Sequence, residues 1–155
     1  LRQEIGVSLA ESGFSGELTV NDVKHILKKM YYSFDENYFI KQSENLKLPM
    51  NKKIKEFSTG MKAKLRVLTA MTHHAKLLIM DEPTRGIDVG AKYEIYQIMI
   101  DLAKQGKGII MISSEMPELI GMSNRILVMC NGHITGEVQG EEATQERIMS
   151  YATKF

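Results

Sequence analysis

Residues 76–88 read KLLIMDEPTRGID, an apolar run that ends in two carboxylates and is followed by a turn. The run has the length of a β-strand, and acids at the carboxyl end of such a strand face the ligand crevice of an open parallel sheet. Two neighbouring acids can divide the chemistry of nucleotide hydrolysis, because Asp81 can hold a hydrated Mg²⁺ while Glu82 orients or deprotonates a water. The alternative is a strand with a capped turn and solvated acids. The turn residues and the further acid Asp88 favour the nucleotide site.

The composition is that of an ordinary globular domain. The chain has 155 residues, 43% hydrophobic and 25% charged, which is enough for a sizeable core in one domain of up to two lobes. A net charge of +1 gives no long-range field to recruit nucleic acid or an anionic membrane. The single cysteine, Cys130, excludes an internal disulfide and is typical of a reducing compartment. No apolar run approaches the roughly 20 residues that span a bilayer, so we expect a transport role to need a separate membrane partner.

Strand and helix patterns alternate along the chain. Residues 5–9 predict a strand, Thr19 and Asp22 have capping-box spacing at a helix start, and residues 36–46 predict a less regular second helix. Five aromatic residues at positions 31–39 favour core packing between these helices, with a protein interface as the alternative.

The later part of the chain has equally clear signals. An amphipathic helix is predicted to end at Gly106, and residues 108–112 predict a buried strand reached by a right-handed parallel crossover. Asn131-Gly132 between apolar runs predicts a β-hairpin, and a last helix is expected from about residue 142.

Another helix is predicted from residue 58 to about residue 73, with Ser58 as its N-cap. The free backbone N–H groups that follow an N-cap can face an anion. A serine that only caps the helix is the alternative.

Two motifs together resemble those of ATP-binding cassette (ABC) transporter ATPases. Residues 77–88 resemble the Walker B motif and D-loop, and Ser58-Thr59-Gly60, about twenty residues earlier, resembles the signature motif. The resemblance implies ATP and Mg²⁺ as ligands, with Asp81 holding the metal through water and Glu82 as the catalytic base. It further implies that the signature residues contact the γ-phosphate of ATP on the opposite subunit and that Asp88 bridges the dimer interface.

Some positions depart from the family pattern. Thr59 and Met61 differ from the most common signature, although Phe-Ser-x-Gly-Met resembles the signature of bacitracin-type exporter cassettes. Ser114 occupies the position of the switch histidine near the γ-phosphate, and a hydroxyl lacks the reach and charge of an imidazole. Ala10, with Glu11 adjacent, replaces the glutamine that links Mg²⁺ to the helical lobe, so metal sensing there is not expected.

A phosphate-binding loop of the Walker A type is absent from these 155 residues, since only Gly106-Lys107 comes near the pattern. The fold class implied by the resemblance is therefore α/β: a partial P-loop NTPase core with a parallel sheet, a small helical lobe and a C-terminal β-hairpin. We expect a core strand with a Q-loop-like segment at 1–13, the helical lobe at 14–57, and the remaining ATPase core at 58–155. The chain alone is predicted not to hydrolyse ATP.

The two halves resemble different branches of the family. Residues 85–155 resemble the second cassette of galactose/methyl-galactoside and ribose importers, in which the switch histidine is usually missing, whereas residues 1–82 resemble bacitracin-type exporters. We hypothesise a fusion of two lineages with a seam at residues 81–84. Under this hypothesis, neither half indicates the direction of transport or the transported solute.

Several function classes remain open. The first is the nucleotide-binding ATPase component of an ABC transporter, coupled to solute transport. The second is a binding role that adds a signature and D-loop face to a partner cassette, and the third is an inactive folded fragment. The resemblance implies a transmembrane permease and a second cassette as partners, no nucleic acid, and a cytoplasmic location at the inner face of the cell membrane. The importer-like run at 85–92 argues against DNA-repair ATPases.

Two further expectations concern surfaces. A metal site at His73-His74 with His25 or His133 is a minor alternative, because adjacent helical residues face different directions. A partial core would expose a sheet edge and apolar surface, which predicts dimerisation or strand exchange.

Overall fold

The computed structural model describes residues 3–10 and 13–154 of the chain. These residues form two compact units, 1–112 and 113–155. Within the described residues, none of the helices is both long and apolar enough to span a membrane. The division into segments 1–13, 14–57 and 58–155 stays a prediction.

The elements of the first unit are β1 (Ile5–Ser8), α1 (Val20–Met30), α2 (Glu36–Asn45), a 3₁₀ turn (Ile54–Glu56), α3 (Thr59–Met71), β2 (Leu77–Asp81), α4 (Val89–Lys104) and β3 (Gly108–Ile112).

A three-stranded sheet forms the centre of the first unit, with the order β1-β2-β3 and parallel pairing throughout. Val7 pairs with Ile79, and Ile79 pairs with Ile110 on its other side. The predicted parallel sheet is therefore confirmed. The carboxyl ends of all the strands lie at one edge, where Asp81 is the last residue of β2.

One face of this sheet is covered by helices and the other is open. Leu78 and Met80 on the covered face are fully buried, and α3 lies so close that a Cβ on Gly6 would meet the Ala70 carbonyl oxygen at 2.0 Å. On the other face, Ile110 and Ile112 are 49% and 52% exposed. The prediction of a buried β3 is wrong in this respect. A continuous apolar run indicates a strand, but it does not show whether helices cover both faces.

The first helix of the helical lobe begins at the predicted cap. Thr19 caps α1, and its hydroxyl accepts a hydrogen bond from the Asp22 N–H while the Asp22 side chain accepts one from the Thr19 N–H, so the capping box is confirmed. Within the aromatic segment, Phe39 is fully buried against Phe34, with ring centroids 5.6 Å apart. Tyr32 is fully exposed. The segment therefore supplies core packing together with one exposed ring.

The second unit is a hairpin packed on short helices. Asn131 and Gly132 have φ angles of 48° and 80°, the left-handed conformation that a tight hairpin turn requires, which confirms the predicted turn. A small apolar cluster holds this unit together: Ile126, Val128, Val138 and Ile148. Its elements are α5 (Met116–Met122), β4 (Arg125–Cys130), β5 (His133–Gln139), a 3₁₀ turn (Gly140–Glu142) and α6 (Gln145–Ala152).

Candidate functional site

Asp81 lies where the central strand β2 meets the carboxyl edge of the sheet. It is half-buried and paired with Ile112 of β3, and its Oδ2 accepts a hydrogen bond of 3.4 Å from the Ala10 N–H. Ala10 stands where the family resemblance predicts a glutamine, and its backbone makes this contact with the carboxylate. Glu11 lies outside the described residues. The carboxylate of Asp81 is thus oriented by the backbone that leaves the neighbouring strand β1.

Glu82 turns the chain away from the sheet in an uncommon backbone conformation. Its φ is +46°, a left-handed value that costs a non-glycine residue of order 1–3 kcal/mol and is concentrated at functional sites. Its N–H donates to the Ile112 carbonyl at 2.8 Å, and its carbonyl accepts from the Arg85 N–H at 3.3 Å. These bonds hold the strained residue beside Asp81.

Ser58 begins the helix α3. Its hydroxyl accepts a hydrogen bond of 3.2 Å from the Met61 N–H, which confirms the predicted N-cap. Ser58 and Thr59 are exposed, whereas Gly60 is buried. The helix therefore presents the hydroxyls of two exposed residues at its positive end.

A second helix start lies next to the first. Asp88 caps α4, and its Oδ1 accepts from the Ala91 N–H at 2.9 Å. A Cβ placed on Gly60 would be 2.9 Å from the Ala91 Cβ and 3.5 Å from Asp88 Oδ2, so only glycine allows this approach. The structure thus brings the signature-like residues 58–60 and the D-loop-like Asp88 together.

An ion pair between these two helices was not predicted from the sequence. Lys64 is buried on α3 and pairs with Glu94 on α4. Lys64 follows Gly60 by four residues and so lies on the same side of α3, which is the signal that could have found it. The pair and the Gly60 contact fix the two helix starts relative to each other.

Ser114 belongs to the second unit, where it is exposed and follows β3 by two residues. Its neighbour Ser113 donates a hydrogen bond of 2.5 Å to Glu118 Oε2 and accepts one of 3.0 Å from the Glu115 N–H. These contacts organise the start of α5.

The two adjacent histidines, His73 and His74, contact other side chains of the first unit. His73 is 1% exposed, and its ring stacks on that of Tyr31 with centroids 4.0 Å apart. His74 Nε2 lies 3.6 Å from Asp35 Oδ2. In the part of the chain that the structure describes, no group of three or more His, Cys, Asp or Glu side chains is arranged for a metal ion. A carboxylate such as Asp81 is nevertheless the donor type that Mg²⁺ prefers when water and phosphate supply the other ligands.

Comparison with known proteins identifies the family. A family profile described as ABC transporter matches residues 1–85, which is more than half of the chain. The chain belongs to the ABC transporter family. As a member of it, the chain carries Asp81 and Glu82 at the end of a core strand, as the Walker B resemblance predicted.

Sequence relatives in this ABC family include import proteins. The galactose/methyl galactoside import ATP-binding protein MglA of Clostridium tetani is 59% identical over 112 residues, which are 72% of this chain and 22% of that protein. The xylose import ATP-binding protein XylG of Geobacillus kaustophilus is 48% identical over 146 residues, covering 88% of this chain and 29% of that protein. The chain therefore spans less than a third of the length of either relative.

The length of these alignments bears on the two-lineage hypothesis. A match that covers 88% of the chain cannot stay on one side of residues 81–84. The similarity to importers thus crosses the proposed seam, and the comparisons give the fusion no support.

The ABC fold is also found among solved structures. The ATP-binding subunit of an ABC transporter matches with a TM-score of 0.79 at 18% identity, covering 98% of this chain and 65% of that chain. This similarity confirms the predicted partial α/β cassette fold.

Proposed function

We propose that the chain is part of the nucleotide-binding ATPase component of an ABC transporter, in which ATP binding and hydrolysis drive solute transport. The placement of Asp81 and the strained Glu82 together at the carboxyl edge of the parallel sheet carries this proposal. The relatives named for galactose and xylose import support sugars as the class of cargo and import as the direction. A transmembrane permease, a second cassette and a location at the cytoplasmic face of the membrane belong to the same proposal.

The carboxylates have separate roles at the sheet edge. Asp81 would hold Mg²⁺ through a water, and Mg²⁺, when bound, neutralises charge that develops on the phosphates. Glu82 positions the attacking water and accepts its proton, because its backbone bonds to Ile112 and Arg85 fix it at the point where the strand ends. Ser114 stays a proposed nucleotide contact.

The paired helix starts face the nucleotide of the opposite cassette. Ser58 and Thr59 offer hydroxyls at the positive end of α3, which suits the γ-phosphate. Asp88 lies beside them and would contact the partner cassette across the dimer interface.

A second candidate function is a binding role without hydrolysis by the chain itself. The exposure of Ser58, Thr59 and Asp88 on adjoining helix starts favours it, because this face can complete a partner's site whether or not the chain holds its own nucleotide. In that role, Asp81 and Glu82 contribute nothing to turnover.

A complementation assay tests both candidates. A complete ABC cassette whose own signature serine is changed to alanine is mixed with the chain, and steady-state ATP hydrolysis is measured. We expect the wild-type chain to raise hydrolysis and the Ser58→Ala chain to fail. Equal effects of the two chains, or no effect of either, would refute a signature role.

Glu82→Gln separates the candidates in an ABC protein that carries these residues together with a phosphate-binding loop, because the chain alone is not expected to hydrolyse ATP. Turnover that depends on Glu82 supports hydrolysis at the chain's own strand end. Turnover that is unchanged by Glu82→Gln supports the binding role.

A further inference from the structure

Arg85 lies in a short loop between the end of β2 and the start of α4. It is the only lysine or arginine between Lys76 and Lys92, although three carboxylates occur in the same stretch. Thr84, before it, is fully buried and Ile87, after it, is also buried, whereas Arg85 is exposed. The loop is thus anchored on both sides of Arg85 and presents this cation to solvent.

A turn places Arg85 close to Glu82. The Arg85 N–H donates a hydrogen bond of 3.3 Å to the Glu82 carbonyl, which closes a β-turn. The first and last Cα atoms of such a turn are less than about 7 Å apart. Because an arginine side chain can span that distance, the Arg85 guanidinium can reach the surroundings of the Glu82 carboxylate.

The guanidinium of Arg85 has no carboxylate partner within the part of the chain that the structure describes. None of the acids there forms an ion pair with it, although Asp81 and Asp88 are each at most four residues away in the sequence. The arginines of the second unit differ, since Arg125 and Arg147 each lie 4.0 Å from a glutamate. Arg85 therefore remains available to an anion at the carboxyl edge of the sheet.

The charge of Arg85 suits the chemistry proposed for this edge. Negative charge is spread over the γ-phosphoryl oxygens during ATP hydrolysis, and cations that contact these oxygens lower the barrier. Ser114 occupies the position at which the family resemblance places a switch histidine, and its hydroxyl carries no charge. A guanidinium is always charged, and its forked N–H donors match the geometry of phosphate oxygens. Arg85 therefore has the charge and the donors that Ser114 lacks.

We propose that Arg85 is a catalytic residue that contacts the γ-phosphate in the hydrolysis for which Glu82 is the base. This role rests on the proposed function, because it requires that ATP is hydrolysed at the carboxyl end of β2. The oxygen of water forms a bond to the γ-phosphorus while the bond to the bridging oxygen breaks, which gives ADP and inorganic phosphate, and Glu82 accepts the proton of the water. Arg85 forms no covalent bond. It donates hydrogen bonds to the γ-phosphoryl oxygens, and these bonds strengthen as negative charge develops there.

The test uses an ABC protein that carries these 155 residues together with a phosphate-binding loop, as wild type, Arg85→Met and Arg85→Lys. We expect Arg85→Met to lower kcat about a hundredfold with little change in ATP binding, because the hydrogen bonds from Arg85 are stronger in the transition state than in the ground state. Arg85→Lys keeps the charge and should recover part of the loss. Arg125→Met, at an exposed arginine of β4, is the matched control and should leave kcat unchanged. The Tm should be the same in all these proteins, since Arg85 is an exposed residue.

Trapping with vanadate supplies a readout that is independent of turnover. Orthovanadate bound together with ADP resembles the transferring phosphoryl group, so Arg85→Met should weaken this complex by a factor similar to its loss of kcat, while ATP binding stays nearly constant. A purely structural arginine would not separate the two ligands in this way.

The outcomes distinguish the role of Arg85 from the proposed function. If kcat and vanadate trapping are unchanged in Arg85→Met while turnover is lost in Glu82→Gln, the role of Arg85 is overturned and the proposed function stands. A loss of ATP binding as large as the loss of kcat would also overturn it, because Arg85 would then contribute equally to the ground state. Turnover that survives Glu82→Gln would refute the proposed function and the role of Arg85 with it.

Discussion

His73 contacts both the helical lobe and the sheet. Its Nε2 lies 3.2 Å from the Ile5 carbonyl, which can only accept, so Nε2 carries the proton and donates to it. The ring stacks on Tyr31, and the His73 carbonyl accepts a hydrogen bond of 2.7 Å from the Ser33 hydroxyl. Burial lowers the pKa of His73, although the hydrogen bond to Ile5 opposes this, and the nearby charge of Lys107 lowers it further.

The lowered pKa of His73 predicts a dependence of stability on pH. The folded chain binds this proton less readily than the unfolded chain, whose histidine titrates near 6.5. The stabilisation is therefore fully present above about pH 6.5 and is lost on acidification, with a slope of at most about 1.4 kcal/mol per pH unit for one proton. Denaturant unfolding of wild type and His73→Phe between about pH 7.5 and about pH 5 measures it.

The variant should show a smaller pH slope than wild type. His25→Gln, at an exposed histidine of α1, is the matched control and should keep the slope. If the free energy of unfolding depended on pH in the same way for wild type and His73→Phe, the lowered pKa of His73 would be contradicted.

Residue types predicted some of the site and not the rest. Ser58 was recognisable as an N-cap because it is a hydroxyl residue before an apolar helix pattern, whereas the cap at Asp88 was not predicted. The positive φ of Glu82 could not be recognised from the sequence, because a glutamate disfavours this conformation and only the surrounding hydrogen bonds impose it. The contact from Ala10 was missed because a backbone N–H is independent of the side chain that the family comparison considers.

The helices α3 and α4 act as one support for the paired helix starts. They approach closely at Gly60 and Ala91, and the ion pair between Lys64 and Glu94 lies one turn further along. These contacts make the position of Ser58 dependent on the position of Asp88.

A methyl group at Gly60 should separate the two helices. Gly60→Ala places a Cβ 2.9 Å from the Ala91 Cβ, and we expect a loss of about 1–3 kcal/mol in the free energy of unfolding from overpacking. The double variant Gly60→Ala with Ala91→Gly should recover part of the loss in a double-mutant cycle. Gly121→Ala, where an added Cβ meets no atom within 4 Å, is the control and should be neutral or stabilising by up to about 1 kcal/mol, because alanine favours a helix over glycine. Additive effects of the two substitutions would mean that the contact carries no energy.

The partners of the ion pair should differ in their response to mutation. The Lys64 side chain is 11% exposed and that of Glu94 is 42% exposed. Glu94→Gln leaves a buried ammonium without a partner and should cost about 1–3 kcal/mol, whereas Lys64→Met leaves only a half-exposed carboxylate and should cost less. Chemical denaturation of both variants checks the order, and the reverse order would show that Lys64 is not effectively desolvated.

Element types were predicted better than their burial. The apolar runs gave the positions of β2 and β3, and the predicted caps gave the starts of α1 and α3. The exposure of Ile110 and Ile112 depends on which helices cover the sheet, and that is a tertiary property absent from local periodicity.

Among the described residues of the first unit, one face of the sheet is largely open, and this predicts self-association. Val7, Ile110 and Ile112 are each about half exposed on the same face, next to the free edges of β1 and β3. We expect light scattering at high concentration to show a dimer or larger species. Ile110→Lys should reduce it by placing a charge on this face, and Ile134→Lys, on the exposed hairpin of the second unit, should not. A monodisperse wild-type monomer would contradict the prediction.

We propose that the carboxylates at the end of β2 perform ATP hydrolysis in an ABC transporter protein. It is tested most directly by steady-state ATP turnover in an ABC protein that carries these 155 residues together with a phosphate-binding loop, as wild type and as Glu82→Gln. We predict that kcat falls about a hundredfold or more while ATP affinity stays nearly unchanged, because a general base is lost without loss of binding contacts. Unchanged turnover in Glu82→Gln would show that Glu82 is not the general base.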